Sequence, residues 1–164
     1  MTQIKDAVTV RCPYHRVPDF LTAYFGRLGA VGGTGASMPI TVSVGEMTLQ
    51  REVLATFEPE PGFPRYERMK IGWIPKHGGP YPDFEGAMSI ESAGGDSSRI
   101  ELAGRYDAPF GVAGKAFDAT VGHRIAQAAA HSLLTELKRE LEEAYREEEA
   151  TVARLSPRYP PTYE

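Results

Sequence analysis

The residues best suited to hold a metal or to transfer a proton are scattered along this sequence. Its four histidines are His15, His77, His123 and His131. On one continuous helix, His123 and His131 would lie two turns apart, roughly 12 Å along the axis, which is too far to share a metal. No HExxH or paired-cysteine pattern is present. We therefore expect no metal and no cofactor, and we interpret the histidines as surface or helix-flank residues.

Two glycine-rich stretches resemble phosphate-binding loops in composition but not in context. Residues 32–35 (GGTG) follow a predicted helix and precede a predicted strand, the reverse of the order in a dinucleotide fingerprint. Residues 111–115 (GVAGK) do lie between a strand and a helix, but Pro109 takes the place of the first P-loop glycine. Ala116 replaces the hydroxyl residue that would hold magnesium. We interpret the first stretch as a flexible loop that could gate a cavity mouth, and the second as a turn into a helix.

Carboxylates and the single cysteine offer little further chemistry. Asp83 and Glu85 lie on one face of a predicted strand, which is the solvent face if Phe84 points inward. The charge of Asp118 interacts favourably with the dipole at a helix start, or it lies at the end of a cavity. Asp107 is a capping residue or a general base with no evident partner in the sequence. No Gly-x-Ser-x-Gly elbow occurs, and we expect Cys12 to be a small buried apolar residue.

Arg51 is the most informative charged residue. Strict alternation places it on the apolar face of its strand, together with Leu49 and Val53. A buried guanidinium requires a carboxylate or a ligand as partner, unless a bulge or a position at the sheet rim turns it outward. If Arg51 points inward, it predicts a ligand with an anionic or carbonyl head group, and Trp73 and Tyr106 would add polar contacts in an apolar wall.

The elements that must position these residues follow a simple order. Period-2 alternation predicts a first strand at 7–12, and 3/4 spacing predicts a short helix at 19–28. Further strands are predicted at 40–44, 47–58, 66–74, 84–91 and 100–106. Residues 112–149 contain no proline and form a long amphipathic helix, whose acidic end should fray because it opposes the helix dipole. We predict one domain over 1–150 and a poorly ordered tail over 151–164.

Composition excludes several classes of protein. The chain has 164 residues, one cysteine and a net charge of −4. The charge gives no support to nucleic-acid binding, and one cysteine cannot form an internal disulfide. No apolar run is long enough to span a membrane, and the first residues do not resemble a secretory signal. We expect a cytoplasmic protein, monomeric or homodimeric.

The order of elements defines an α+β fold, in which a curved antiparallel sheet of about six strands wraps around the C-terminal helix. The pattern resembles the START/Bet v 1-like (polyketide cyclase-like, helix-grip) superfamily over residues 6–145. The resemblance rests on residues 83–86 (DFEG) and 100–111 (IELAGRYDAPFG), which lead through Gly114 and Asp118 to the long helix. It implies an apolar cavity, which different members use for lipids, hormones, polyketides or aromatic compounds. It implies no shared catalytic residues; some members are cyclases or hydrolases, and others are co-chaperone or ribosome-associated modules.

The predicted function is therefore the binding of a small or medium-sized hydrophobic ligand between the sheet and the C-terminal helix. Two other functions stay open: a cyclase/aromatase- or hydrolase-type enzyme using the same cavity, and a protein-interaction module. The same apolar residues could also form a closed core, because periodicity does not distinguish the two. The candidate lining residues are Arg51, Met69, Ile71, Trp73, Met88, Ile90, Leu102, Tyr106, Phe117, Val121, Ile125 and Ala128.

Overall fold

The computed structural model of the protein describes residues 2–28, 36–44, 46–62, 67–77, 83–107 and 119–156. Within these ranges the chain forms six strands and two helices. In chain order they are β1 (Thr2–Val10), α1 (Val17–Leu28), β2 (Ala36–Val44), β3 (Met47–Pro59), β4 (Arg68–Pro75), β5 (Asp83–Ser92), β6 (Ser98–Asp107) and α2 (Ala119–Leu155).

The strands form one antiparallel sheet in the order β1-β6-β5-β4-β3-β2. β2 to β6 follow one another as neighbours, and β1 completes the sheet by pairing with β6. The long helix α2 packs against both β1 and β2, which are opposite edges of the sheet. The sheet must therefore curl around α2, which confirms the predicted helix-grip fold.

Alternation along the central strands separates an inner from an outer face. In β4, Met69, Ile71 and Trp73 are buried on the inner face, whereas Arg68 and Lys70 are exposed. β5 and β6 repeat the pattern, so that their apolar residues meet those of β4 on the inner face. The inner face and α2 together form the core, and the outer face carries the charges.

Polar contacts hold α2 along β1. Gln127 Nε2 donates to the Lys5 carbonyl oxygen (3.1 Å), and Lys138 Nζ donates to that of Thr9 (3.0 Å). His131 Nδ1 lies 2.9 Å from Asp6 Oδ2. β1 begins at Thr2 rather than at the predicted residue 7, because pairing with β6 extends the strand through its polar first residues.

The acidic part of α2 does not fray as the dipole argument predicts. The helix continues to Leu155, and its glutamates find partners on the segment between β1 and α1 and on α1 itself. Arg16 Nε donates to Glu148 (2.9 Å), and the Arg11 amide donates to Glu142 (3.0 Å). These long-range partners offset the unfavourable dipole. The tail residues 157–164 lie outside the described ranges, as do residues 108–118, where the sequence places the helix start.

Within the described ranges, neither helix combines the length and the apolar character that crossing a bilayer requires.

Candidate functional site

Three aromatic residues lie side by side on the inner face of the sheet. Trp73 of β4 is directly opposite Phe84 of β5, and Phe84 is directly opposite Tyr106 of β6. All three side chains are buried. The Trp73 and Phe84 rings are stacked, with their centroids 4.2 Å apart and their planes at 17°. Because side chains on one face of neighbouring strands pack together, this register creates a continuous aromatic surface.

A pair of glycines explains how the Phe84 ring fits between its neighbours. Gly86 and Gly104 are register partners on β5 and β6. A Cβ atom added to Gly86 would lie 2.8 Å from Phe84 Cζ, and one added to Gly104 would lie 2.6 Å from it. The ring therefore occupies the space above these two glycines, which any larger residue would fill.

The first described turns of α2 cover the Tyr106 end of this surface. The rings of Tyr106 and His123 are 6.2 Å apart and inclined at 44°. Gly122 is buried here, and a Cβ atom on it would be 3.8 Å from the Tyr106 ring. Trp73, Phe84, Tyr106 and His123 thus converge at one end of the core, and we refer to these four residues as the aromatic site.

Two buried nitrogens of the aromatic site have no hydrogen-bond partner among the described residues: Trp73 Nε1 and His123 Nδ1. The Trp73 side chain is only 2% exposed. The indole N–H can donate but not accept, whereas the imidazole nitrogen does either, depending on its tautomer. Burying a polar group without a partner costs about 1–3 kcal/mol, so buried polar groups in proteins are nearly always bonded. A molecule bound at the aromatic site would therefore provide hydrogen-bond partners for these two nitrogens.

Most of the lining residues predicted from the sequence meet at this core. Trp73 and Tyr106 belong to the aromatic site itself. The remaining strand residues and one helix residue are buried nearby: Met69, Ile71, Met88, Ile90, Leu102 and Ile125. Ala128 is half-buried. The side chains of Arg51 and Val121, and the whole of Phe117, lie outside the described residues, so both predicted orientations of Arg51, inward and outward, stay open.

Two residues of the aromatic site are absent from the set predicted from the sequence. Alternation identifies Phe84 as inward-facing, but its importance depends on Gly86 and Gly104 being paired, which is visible only once β5 and β6 are known to be neighbours. His123, predicted to be a surface or helix-flank residue, is half-buried, and its ring lies beside that of Tyr106. Helical spacing gives no signal for this contact, because the partner belongs to another element.

A concave region separate from the aromatic site lies between α1, the edge strand β2 and α2. This groove has a volume of about 720 Å³ and was not predicted from the sequence. Tyr24, Met38 and Ile40 contribute buried apolar surface, while Glu136 and Glu140 lie at its rim. Burial, reinforced by these two glutamates, raises the pKa of Tyr24 to about 12. Both glutamates also pair with Arg139, at 2.6 Å for Glu136 and 2.8 Å for Glu140.

The other chemistry-bearing residues do not assemble into a second centre. His15, His77 and His131 are exposed, and His131 Nδ1 lies within hydrogen-bond distance of Asp6. Burial raises the pKa of the Cys12 thiol from its ordinary 9.0 to about 12, which makes it a poor nucleophile, in line with the predicted buried apolar role. Across the described ranges, no group of three or more potential ligands could hold a metal ion.

The remaining motifs fall largely outside the described residues. Residues 32–35 and 111–115, with Asp118, are among those not described, as is the side chain of Asp107. Asp83 and Glu85 are exposed on the outer face as predicted, and Glu85 pairs with Arg105 at 3.3 Å.

Comparison with known proteins gives a fold but no closer relationship. No protein-family model matches the chain, and no curated protein matches it in sequence. Solved structures do match over most of its length. A protein of Thermus thermophilus, TTHA0849, is 14% identical, with a TM-score of 0.57 over 87% of this chain and 99% of that one. The ZhuI aromatase/cyclase from Streptomyces sp. R1128 is 14% identical, with a TM-score of 0.56 over 92% of this chain and 97% of that one.

A third match is norcoclaurine synthase from Thalictrum flavum, a point mutant solved with a transition-state analogue. It is 10% identical, with a TM-score of 0.51 over 90% of this chain and 96% of that one. Identities this low carry the fold and nothing finer. The chain thus has the fold of START/Bet v 1-like proteins, as the resemblance in its sequence implies.

Proposed function

We propose that this protein binds a small or medium-sized, mostly apolar molecule between the inner face of the sheet and α2, with the aromatic site as its main contact. The molecule would be lipid-like, polyketide-like or aromatic. The observation that carries the proposal is the buried Trp73 Nε1, which has no partner among the described residues.

The alternative is a closed core with no ligand, and the energetics weigh against it. An ordinary core position opposite Phe84 could be filled by phenylalanine or leucine at no cost in hydrogen bonding. Tryptophan at this position has an N–H with no partner among the described residues, which costs about 1–3 kcal/mol, and His123 Nδ1 at the Tyr106 end is a second such group. The cost of leaving these two groups of the described core without partners would be a substantial fraction of an ordinary folding free energy of about 5–15 kcal/mol. A ligand that accepts from the indole offsets that cost.

The fold supports a small-molecule function without defining the ligand. Two structures that share it are described as an aromatase/cyclase and as a synthase in complex with a transition-state analogue. In this chain, the predicted lining residues Met69, Ile71, Met88 and Leu102 would provide the apolar surface next to the aromatic site. Arg51 is the proposed partner for an anionic or carbonyl head group.

Native mass spectrometry of the purified protein would reveal a co-purified ligand directly. A titration with 8-anilinonaphthalene-1-sulfonate provides an independent measurement, because Trp73 is the single tryptophan of the chain and its emission reports on the site alone. We expect saturable quenching of Trp73 with a matching rise in dye emission. Absence of any bound mass, together with non-saturable dye binding, would overturn the proposal.

A pair of matched variants localises the binding. Gly122→Leu adds a side chain beside Tyr106, where a Cβ atom alone just reaches van der Waals contact, and should weaken dye binding at least about tenfold. Gly26→Leu makes the same substitution on α1, where nothing lies within 4 Å of an added Cβ atom, and should leave it unchanged. Circular dichroism checks that both variants are folded. Equal affinities for the two variants would place the dye elsewhere.

An enzyme of the cyclase/aromatase or hydrolase type is the second candidate, and the contact between His123 and Tyr106 favours it. His123 Nδ1, which has no partner among the described residues, and the Tyr106 phenol beside its ring could transfer a proton to or from a bound substrate. Incubation of the protein with the molecule recovered by native mass spectrometry tests this candidate. An enzyme would change the mass of that molecule, and His123→Gln would abolish the change while leaving binding within about threefold. Recovery of the molecule unchanged would reject the enzyme and leave the binding protein.

A further inference from the structure

The hydrogen-bonding character of Trp73 restricts the chemistry of the ligand. We infer that the bound molecule is a flat, polycyclic compound carrying a hydrogen-bond acceptor oxygen, such as a carbonyl, that accepts from Trp73 Nε1, and that unsubstituted hydrocarbon is discriminated against. This inference rests on the proposed function, since it concerns the same site.

The first step is the polarity of the unsatisfied atom. An indole N–H donates and has no lone pair to offer in its plane, so a ligand hydroxyl or amine hydrogen cannot satisfy it. An acyl chain or a plain aromatic hydrocarbon would leave it buried and unbonded, as it is among the described residues. A carbonyl oxygen satisfies it with a single bond.

The second step is shape. Trp73 and Phe84 are stacked at 17°, and Tyr106 is the next residue along the same row. Trp73 and Tyr106 are two strands apart, so their backbones are separated by roughly 10 Å, twice the ordinary strand spacing. A flat molecule that contacts the indole at one end and reaches the Tyr106–His123 pair at the other would have the length of two or three fused rings.

The third step is the position of the second nitrogen. His123 Nδ1 lies at the Tyr106 end and can either donate or accept. It therefore accommodates a second oxygen on the ligand whether that oxygen is a carbonyl or a hydroxyl. Trp73 requires an acceptor on the ligand, whereas His123 accommodates either an acceptor or a donor, which makes Trp73 the specificity-determining residue.

The test compares 9-fluorenone with fluorene, tricyclic molecules that differ by one carbonyl in place of a methylene. Equilibrium dialysis gives both affinities. We expect fluorenone to bind at least about tenfold more tightly, the usual consequence of satisfying a buried donor rather than leaving it unpaired. Plain hydrophobic partitioning favours fluorene, so a preference for fluorenone cannot arise from apolarity alone. In Trp73→Phe the preference should disappear, whereas in Ile74→Ala, an exposed neighbour on the outer face, it should persist.

A measurement on the unmodified protein covers the possibility that Trp73→Phe does not fold. The single tryptophan gives one indole ¹H–¹⁵N resonance, which fluorenone should shift downfield and fluorene should not. Equal or stronger binding of fluorene, with equal resonance shifts, would overturn the inference while leaving the proposed function intact. Binding of neither compound, together with no saturable dye binding, would overturn both.

Discussion

Replacing Gly104 with alanine tests the packing on which the aromatic site depends. The added methyl group would lie 2.5 Å from the carbonyl oxygen of Glu85, 2.7 Å from the Cα atom of Gly86 and 2.6 Å from Phe84 Cζ. The first two atoms belong to the backbone of the neighbouring strand β5. Rotation of a side chain therefore cannot relieve the overlap, and the two strands must move apart.

The expected change in the free energy of unfolding of Gly104→Ala follows from two opposing effects. Alanine in place of a strand glycine gains about 0.5–1 kcal/mol, because the unfolded chain loses less freedom. Overpacking a filled position costs about 1–3 kcal/mol, and three contacts below 3.0 Å place Gly104→Ala at the upper end. The net loss is about 2 kcal/mol, which lowers the Tm of a chain of this size by roughly 4–8 °C. The Phe84 ring must also leave its position against Trp73, so we expect the indole emission to change.

Urea unfolding followed by far-ultraviolet circular dichroism gives the free energy of unfolding, and fluorescence gives the state of Trp73 separately. Gly26→Ala is the control, because an added Cβ atom in α1 meets nothing within 4 Å and alanine is favoured in helices by about 1 kcal/mol. Gly26→Ala should be as stable as the wild type or slightly more stable, with unchanged Trp73 emission. Wild-type stability and emission in Gly104→Ala would refute the argument that the glycine pair creates the space for Phe84.

Three further predictions concern the rest of the molecule. The pKa of Cys12 is about 12 in the folded protein and 9.0 ordinarily, so the unfolded chain loses the thiol proton first. The free energy of unfolding should therefore fall as pH rises above about 9. If a Cys12→Ala variant shows the same alkaline slope, the thiol is not the cause. Ser98→Ala removes the buried hydroxyl that donates to the Cys12 carbonyl oxygen at 2.6 Å, which should cost about 1–3 kcal/mol in urea unfolding, and no loss would mean that the carbonyl finds another donor. Arg16→Ala removes the ion pair between the β1–α1 connection and Glu148. It should lower the free energy of unfolding by about 1 kcal/mol at low salt and by less in about 1 M salt. A loss that does not depend on salt would indicate that Arg16 acts through packing against Phe20 instead.

Local patterns were sufficient to predict the architecture. The alternation of Met69, Ile71 and Trp73 identified the inner face of β4, and the single long proline-free segment left one candidate for the covering helix. Trp73 and Tyr106 were included among the lining residues because alternation places both on the apolar face. These features depend only on residues close together in the chain, which is why one sequence reveals them.

The features that escaped prediction depend on pairing between distant residues. The space for Phe84 requires Gly86 of β5 to lie beside Gly104 of β6, a matter of register rather than of composition. The predicted fraying of α2 was wrong because Glu148 is paired with Arg16, a residue 132 positions earlier, and a dipole argument considers only the helix itself.

Stability and the proposed binding site are separated along α2. Farther along the helix, charged and polar contacts tie it to β1 and to the β1–α1 connection, through Lys138, Glu142 and Glu148. At the beginning of its described part, by contrast, the contacts with the sheet are those of Gly122 and His123 with the Tyr106 ring, and the unpartnered nitrogens of the described core lie at this same end. Ring contacts without directional bonds can be exchanged for contacts with a ligand, whereas the polar contacts farther along are hydrogen bonds and ion pairs that depend on the present position of α2. The proposed ligand would therefore replace ring contacts at the aromatic site, while the polar contacts farther along α2 stay in place.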